Sequence, residues 1–264
     1  MIEPTIELVM SEFGASRQNA GGNRLTNHGR LNPTLDGFRK IFPAAKVTLY
    51  TDQPTMREDG VEVVLVTPPF EPSEERYGWR AHDYYQALGL LQSTAEVAIA
   101  MDSDMLIVSE GFHVIHQFAQ RFGLAVPINP RLLLKIDGSI GVDSRYLAKS
   151  DTTLGLGMTY NLTPMAFSSG HFFARQLLEK YCDLLLKSPG RGAVHLVKAT
   201  YELGFQPFVL PPQWCVCSPK DFDSKHLWSE AIALHIGHRD VLPRWQTEKT
   251  KYKMSNLINK IFKL

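Results

Sequence analysis

Short apolar runs rich in β-branched residues alternate along the first half of the chain with longer stretches whose apolar residues recur at helical spacing. Strands are predicted over Ile6–Phe13, Lys46–Tyr50, Val61–Val66 and Val97–Val108, and helices over Asn32–Phe42 and Glu74–Ser93. The resulting order of strand, helix, strand, strand, helix, strand predicts one α/β domain. We expect a Rossmann-like, mainly parallel central sheet flanked by helices.

The second half of the chain has a less regular pattern. Polar and glycine-rich loops are predicted over Gly14–Gly29 and Asn129–Tyr160, helices over Phe112–Phe122, Ala174–Leu186 and Val194–Leu203, and a short strand over Leu124–Pro127. A turn is expected within Met165–Ala174, at Ser168, Ser169 and Gly170. The chain contains no internal repeat.

Two carboxylates interrupt the apolar run VAIAMDSDMLIV, at Asp102 and Asp104. A buried parallel strand reads as continuous apolar sequence, and an unpaired acid inside it would cost several kcal/mol. We therefore expect both acids where the strand ends, at the carboxyl edge of the sheet, where ligands bind in open α/β folds. Side chains two residues apart point the same way, so both can bind one Mg²⁺ or Mn²⁺ that carries a diphosphate.

Two other interpretations of the acidic pair stay open. Asp-x-Asp is common in turns where aspartate accepts backbone hydrogen bonds. A phosphatase of the haloacid-dehalogenase type also places Asp-x-Asp after a strand, with the first aspartate as nucleophile. In such enzymes Gly-Thr or Gly-Val usually follows on the first strand of the core domain, whereas here Met105 and Leu106 follow and three predicted strands precede.

Composition limits the function classes. The 264 residues carry a formal net charge of +1 and are 44% apolar, which is ordinary for a globular protein and gives no sign of nucleic-acid binding. The three cysteines, Cys182, Cys215 and Cys217, fit neither an even disulfide set nor a metal-finger spacing, so a reducing cytoplasm is the expected compartment. No run approaches the roughly 20 apolar residues of a membrane span, and no signal peptide is visible.

The stretch from Arg244 to Leu264 differs from the rest, with six Lys or Arg against one Glu. We expect residues 1–245 to form the domain and 246–264 a basic amphipathic tail. Apolar residues recur at helical spacing over the tail, at Met254, Leu257, Ile258, Ile261 and Leu264. Such a helix can make peripheral contact with the inner face of an anionic membrane, or dock on the domain itself.

Several segments, in order along the chain, resemble glycosyltransferases of the GT-A fold, in particular the family-8-type enzymes that use nucleotide sugars. The matching segments are VTLYTD ending at Asp52, Arg80 on the helix before the acidic strand, MDSDM around Asp102 and Asp104, PMAFSSG from Pro164 to Gly170, and LHIGHRDVLPRW from Leu234 to Trp245. In the family these segments touch the nucleotide, the metal, the donor sugar and the diphosphate. Here Ser168 stands where the family usually has Asn, and His235 and Gly237 are one residue closer than usual.

The resemblance implies a role for each matching residue. Asp104 would be the main ligand of Mn²⁺ (or Mg²⁺), Asp102 would touch ribose or metal, and His235 would be the third ligand, with His238 as the fallback. Donor-binding roles fall to Asp52, Arg80, Ser168, Gly170, Gly237 and Arg239, with Arg244 as a second diphosphate clamp. Ser169 and His171 would act at the transfer step or reach the acceptor.

For most of these residues a structural role is the alternative. Asp52 would cap a turn, Arg80 would pair with Asp83 or Asp52 on a helix surface, and His235 would be a satisfied histidine at a strand end. Ser168, Ser169 and Gly170 would form only a tight turn. Asp137, Asp143 and Asp151 are candidates for a general base, without preference among them.

The implied activity is metal-dependent transfer of a sugar from a nucleotide-diphosphate donor, with a UDP-sugar favoured, as in polysaccharide biosynthesis. The acceptor would be a saccharide, a lipid-linked sugar or a protein. Besides the phosphatase, two alternatives remain, a sugar nucleotidyltransferase and a sugar-nucleotide-binding protein without activity. A nucleotidyltransferase would begin with a tight glycine-rich phosphate loop after the first strand, which Gly14 to Arg24 does not reproduce.

Overall fold

The computed structural model describes residues 4–13, 32–54, 59–74, 77–129, 159–189, 192–217, 229–237 and 240–250. Several predictions fall outside these ranges: the loop Gly14–Gly29, most of Asn129–Tyr160 with Asp137, Asp143 and Asp151, the residues His238 and Arg239, and the apolar positions of the tail from Met254 onward.

Ten strands and six α-helical segments are described, and five of the helical segments carry labels here. The strands are β1 (Ile6–Glu12), β2 (Lys46–Thr51), β3 (Glu62–Leu65), β4 (Val97–Ala100), β5 (Met105–Ile107), β6 (Leu124–Asn129), β7 (Thr159–Tyr160), β8 (Met165–Ser168), β9 (Phe208–Leu210) and β10 (Ala233–His235). The helices are α1 (Asn32–Ile41), α2 (Tyr77–Gln92), α3 (Ile115–Phe122), α4 (Phe172–Lys187) and α5 (Gly192–Leu203). Short 3₁₀ turns cover Glu110–Val114 and Pro212–Trp214, and residues 241–250 are helical.

An eight-stranded sheet runs in the order β3-β2-β1-β4-β8-β6-β7, with β9 beside β6. The first four strands are parallel, and so are β6 and β9, whereas β8 is antiparallel to both β4 and β6. The predicted single α/β domain with a mainly parallel sheet is therefore confirmed. In the described part of the chain, no helix has the length and apolar character needed to cross a membrane.

Helices cover both faces of this sheet, which explains why its central strands have apolar side chains on both sides. In β1, Leu8 and Met10 pack with α1 and α3, while Val9 packs on the opposite face with α2, α4 and α5. Helix α2 lies especially close to the strands at Gly89, where a Cβ atom would sit 2.5 Å from a methyl group of Val9. This close approach holds α2 against the ends of β1 and β4.

One predicted boundary needs correction. The run Val97–Val108 forms two strands, β4 and β5, separated by the acidic segment, and β5 pairs with β10 in a separate two-stranded sheet. The helix over 241–250 continues through the predicted division between residues 245 and 246. Trp245 packs against the small apolar cluster around β10, and Lys249 Nζ lies 4.3 Å from the centre of its ring.

Candidate metal centre

The carboxyl ends of three neighbouring parallel strands place acidic residues at one edge of the sheet. Strand β1 ends at Glu12, which pairs in register with Thr51 just before Asp52, and the segment Asp102–Asp104 follows β4. Glu12, Asp102 and Asp104 are all buried. The hydroxyl of Ser103 hydrogen bonds to Glu12, so the acidic segment is attached to the end of β1.

Thr34, near the start of α1, fixes the backbone of the acidic segment. Its buried hydroxyl lies 2.9 Å from the carbonyl oxygens of both Asp102 and Met105, and it accepts a hydrogen bond from the Met105 N–H at 3.1 Å. These contacts close the turn between β4 and β5. The backbone that carries Asp102 and Asp104 is thereby held in one conformation.

His235 reaches the acids through the pairing of β10 with β5. In this antiparallel pair His235 lies opposite Met105, the residue after Asp104, and the N–H of Ile236 donates to the Asp104 carbonyl at 2.8 Å. The imidazole Nε2 atom lies 3.0 Å from Asp104 Oδ1 and 3.6 Å from Asp102 Oδ2. One ligand atom from each of the three residues lies within 4.8 Å of the others, a spacing that fits a divalent cation.

A buried oxygen of Asp104 supports this fit. Oδ1 is inaccessible to solvent, and the described residues offer it no hydrogen bond apart from its 3.0 Å ion-pair contact with His235 Nε2. A buried carboxylate oxygen is costly unless a positive charge lies beside it, which either a protonated His235 or a bound metal ion would supply. With two carboxylates and one imidazole, the donor set suits Mn²⁺ or another divalent metal of intermediate softness.

Without a metal, His235 is strongly biased toward its protonated form. Burial acts to lower its pKa, but the negative charge of Asp104, and after it that of Asp102, outweighs burial and raises the pKa from 6.5 to about 9. The imidazolium then neutralises part of the acidic charge. A metal ion would take over this role and require the neutral imidazole.

Asp102 is held from its other side by residues that the sequence patterns did not indicate. Its Oδ1 lies 2.8 Å from His82 Nε2 and accepts a hydrogen bond from Gln86 Nε2 at 3.0 Å. Its backbone N–H donates to Thr163 Oγ1 at 3.0 Å. His82 and Gln86 are four residues apart on α2 and so share a helix face, which is the only sequence signal that links them.

The Ser168–Gly170 turn is at the wrong edge of the sheet for the role predicted for it. Because β8 is antiparallel to β4, Ser168 pairs with Val97 at the start of β4, and Met165 pairs with Ala100 at its end. Ser169 binds the Glu96 carbonyl through its N–H, also at the start of β4. Five residues of near-extended chain, about 15 Å, separate this turn from Asp102. Ser168, Ser169 and Gly170, which were predicted to lie beside the donor sugar, are therefore at the opposite end of β4 from the acids.

His171 follows the same turn and has a capping role. Its Nδ1 accepts a hydrogen bond from the Ala174 N–H at the start of α4, at 3.2 Å, and its ring packs against Phe205. The ring also covers Gly123, whose φ of 84° suits glycine and where a Cβ atom would be 2.4 Å from the imidazole. His171 thus lies with Ser168 at the end of β4 opposite to the acids, and its contact with an acceptor stays a prediction.

Arg80 anchors helices to each other. Its guanidinium binds both carboxylate oxygens of Glu74, at 2.8 and 3.0 Å, and donates to the carbonyls of Leu185 and Leu186 at the end of α4. It also stacks on Phe70, 4.4 Å from the ring centre. Glu74 is thus its partner, in place of the expected Asp83 or Asp52. None of the contacts described for Arg80 is with the acidic cluster.

Asp52 lies at the sheet edge that carries the acidic cluster. It accepts hydrogen bonds from Tyr77 Oη at 3.1 Å and from Gln53 Nε2 at 2.8 Å. Burial of the phenol, followed by the charge of Asp52, raises the pKa of Tyr77 to about 12. The turn after β2 is capped by Thr51, whose Oγ1 accepts from the Gln53 N–H. Asp52 therefore keeps a position compatible with nucleotide contact, and its expected turn-capping role belongs to Thr51.

The remaining predicted residues lie around β10. Gly237 is exposed and follows the Ile236 N–H that binds the Asp104 carbonyl. Arg244 lies on the helix over 241–250, with its Nε atom 3.2 Å from Glu248, one turn further along. A cavity of about 460 Å³ lies elsewhere, along edge strand β3 between Gln53, Gly60 and Leu65, and its lining does not include the acidic cluster.

Fold and sheet-edge geometry together define an α/β protein with a mainly parallel sheet and a candidate metal centre at its carboxyl edge. No protein family model matches the chain. The solved structure of the WbbM bifunctional glycosyltransferase has a TM-score of 0.52 and 11% identity, and the match covers 89% of this chain and 46% of that one. This likeness shows the fold and does not support family 8 in particular.

Two further similarities were found. The 2-C-methyl-D-erythritol 4-phosphate cytidylyltransferase of Thermus thermophilus has a TM-score of 0.46 and 15% identity, over 79% of this chain and 89% of that one. A putative phosphoserine phosphatase 2 of Hydrogenobacter thermophilus is 27% identical over 94 residues, which are 36% of this chain and 44% of that protein. The chain thus matches less than half the length of this relative.

Proposed function

We propose that the protein is a metal-dependent glycosyltransferase that uses a nucleotide-diphosphate sugar. The observation that carries the proposal is the convergence of Asp102, Asp104 and His235 at the carboxyl edge of the sheet, with a buried Asp104 oxygen that lacks a hydrogen bond. The fold shared with the WbbM glycosyltransferase supports sugar transfer as the reaction.

Asp104 and His235 would hold the metal most directly, and Asp102 would contribute the oxygen that faces His235. When bound, a divalent ion supplies Lewis-acid stabilisation of the diphosphate leaving group. The chain itself provides the fixed backbone around the ion through Thr34 and Ile236. Asp52 and Glu12 lie at the ends of the two neighbouring strands. There the nucleoside of the sugar donor would meet carboxylate oxygens that accept hydrogen bonds.

The finer features of the proposal are Mn²⁺ as the metal, a UDP-sugar as the donor, and a saccharide, lipid-linked sugar or protein as the acceptor. Mn²⁺ is favoured over Mg²⁺ because imidazole is a better ligand for the former. The basic residues beyond Trp245 favour an acceptor at a membrane surface, which would give the protein peripheral contact with anionic lipid.

The proposal is tested by thermal shift with UDP-, GDP-, CMP- and dTDP-sugars, each with and without Mn²⁺, because a ligand that binds the native state raises the melting temperature. We expect a Mn²⁺-dependent rise with one nucleotide class and release of the free nucleotide when an acceptor is added. The Asp104→Asn variant should lose both. Asp36→Asn, at an exposed position of α1, is the control and should retain both.

Three results would instead assign the protein to another functional class. Pyrophosphate release from a nucleoside triphosphate and a sugar phosphate would identify a nucleotidyltransferase. Release of inorganic phosphate from a phosphomonoester, lost in Asp102→Asn, would identify a phosphatase. Donor binding without turnover, only weakened in Asp104→Asn, would identify a binding protein.

A further inference from the structure

We infer that His82 is a positioning residue of the metal centre, which holds one carboxylate oxygen of Asp102 so that the other faces His235 and the metal position. This inference rests on the proposed function. His82 lies on α2, is 2% exposed, and contacts both Asp102 and the end of β1. It belongs to none of the sequence motifs that pointed to the site.

The hydrogen-bond directions around His82 can be worked out from its partners. The Ser11 hydroxyl donates to the His82 carbonyl at 3.1 Å, so toward the ring its oxygen is an acceptor, 2.7 Å from Nδ1. The Ser11 carbonyl, 2.9 Å from Nδ1, can only accept. Nδ1 therefore carries a hydrogen and donates to Ser11, which locks the ring orientation against the end of β1.

The opposite nitrogen faces Asp102. Nε2 lies 2.8 Å from Asp102 Oδ1, and this oxygen also accepts a hydrogen bond from Gln86 Nε2 at 3.0 Å. The ring of His82 and the amide of Gln86 therefore both fix this one oxygen. Both of these contacts are at Oδ1. The other oxygen, Oδ2, points toward His235 at 3.6 Å.

The two acids of the motif therefore have different roles. Asp102 is a carboxylate fixed by two hydrogen bonds at one oxygen, whereas the described contacts of Asp104 leave its buried Oδ1 without a hydrogen bond. Groups that hydrogen bond to a metal ligand fix its orientation, and removing them typically lowers metal affinity by about 10- to 100-fold. His82 provides this support for Asp102 through a rigid path from the backbone of Ser11.

Three substitutions at this position separate a positioning role from simple core packing. His82→Gln places an amide group at the position of Nε2 and so retains a hydrogen-bonding contact with Asp102. His82→Asn retains a donor only at the position of Nδ1, toward Ser11, and His82→Leu retains neither. His195→Leu is the matched control, because His195 is also a buried helical histidine, on α5, with its Nε2 3.0 Å from the Ser188 carbonyl.

The affinity of each full-length variant for Mn²⁺ alone is measured by isothermal titration, with circular dichroism to confirm folding. We expect His82→Gln to bind within about threefold of wild type, and His82→Asn and His82→Leu to bind about 10- to 100-fold more weakly. His195→Leu should bind like wild type. Equal affinities for the Gln and Asn variants, or wild-type affinity in His82→Leu, would overturn the inference about His82. Absence of Mn²⁺ binding by the wild-type protein would instead refute the metal centre, and with it both proposals.

Discussion

The hydroxyl of Thr34 connects the first helix to Asp102 by lying 2.9 Å from the carbonyl oxygens of both Asp102 and Met105. Replacing Thr34 with Val keeps the side-chain shape but leaves two buried carbonyls and the Met105 N–H without this partner. We expect a loss of about 1–3 kcal/mol in the free energy of unfolding, measured by urea denaturation. The Mn²⁺ affinity should fall as well, because the turn that carries both acids is released.

Thr34→Ser is the control for this substitution, since it keeps the hydroxyl and removes only a methyl group. It should retain the Mn²⁺ affinity of the wild type and most of its stability. A Val variant as stable as the Ser variant would show that the hydroxyl does not hold the turn.

His235 makes the stability of the metal-free protein depend on pH. Its pKa is raised from 6.5 to about 9 in the folded state, so folding favours the protonated form. The resulting stabilisation is fully present below pH 6.5 and is lost as the pH rises to about 9. Urea denaturation in the presence of chelator should show this fall in the free energy of unfolding between pH 6.5 and about 9. The His235→Gln variant should lack the part of the fall that comes from His235.

Mn²⁺ should have the opposite pH dependence, because it binds the neutral imidazole. At a fixed Mn²⁺ concentration, the increase in melting temperature should grow as the pH is raised from 6.5 toward 9. His116→Gln is the control, since this histidine lies on α3 with contacts to Phe42 and His113. If the increase in melting temperature caused by Mn²⁺ does not depend on pH, His235 is not a ligand.

Ser168 and Ser169 should be dispensable for donor binding. They lie beside the first residues of β4, whereas the acids follow its last residue. We expect Ser168→Ala and Ser169→Ala to keep the Mn²⁺-dependent thermal shift with the preferred donor, under conditions where Asp104→Asn abolishes it. A tenfold weaker donor affinity in either alanine variant would restore the role that the family resemblance implied.

Arg80 should matter for stability and leave ligand binding unchanged. Arg80→Leu removes a buried guanidinium from Glu74 and from two carbonyls at the end of α4, which we expect to cost about 3 kcal/mol. Arg39→Leu is a matched control, because Arg39 also donates to two carbonyls but at an exposed site, and should cost less than about 1 kcal/mol. A selective loss of donor binding in Arg80→Leu would show that Arg80 contacts the donor.

The succession of strands and helices along the first half of the chain and the position of the acids could be predicted because both depend on local patterns. Apolar runs mark buried strands, and charged residues inside such a run must lie where the strand ends. Asp102 and Asp104 follow this rule directly. His235 was identified only by its place in a resembling segment, since nothing in ALHIGH itself distinguishes a ligand from a buried histidine.

The contacts around Asp102 could not be predicted, because they join residues that are far apart in the sequence. Thr34, His82 and Thr163 are ordinary residues of a helix start, a helix face and a loop, and only the packed fold brings them to the backbone and side chain of Asp102. The error at Ser168 has a related cause. Its turn was predicted correctly, but a local pattern does not give the direction of a strand, and an antiparallel β8 takes the turn to the opposite edge.

Strand β10 lies outside the main sheet, where it forms three residue pairs with β5 and a single bridge to Val216. A metal bound both by the acids after β4 and by His235 would cross-link the eight-stranded sheet to the two-stranded sheet of β5 and β10. The exchange of backbone amides in β10 with deuterated solvent would then report metal loading, while amides of β1 and β4 would stay protected in both states. Metal binding would thus determine how often the chain around β10 opens to solvent, without changing the protection of the main sheet.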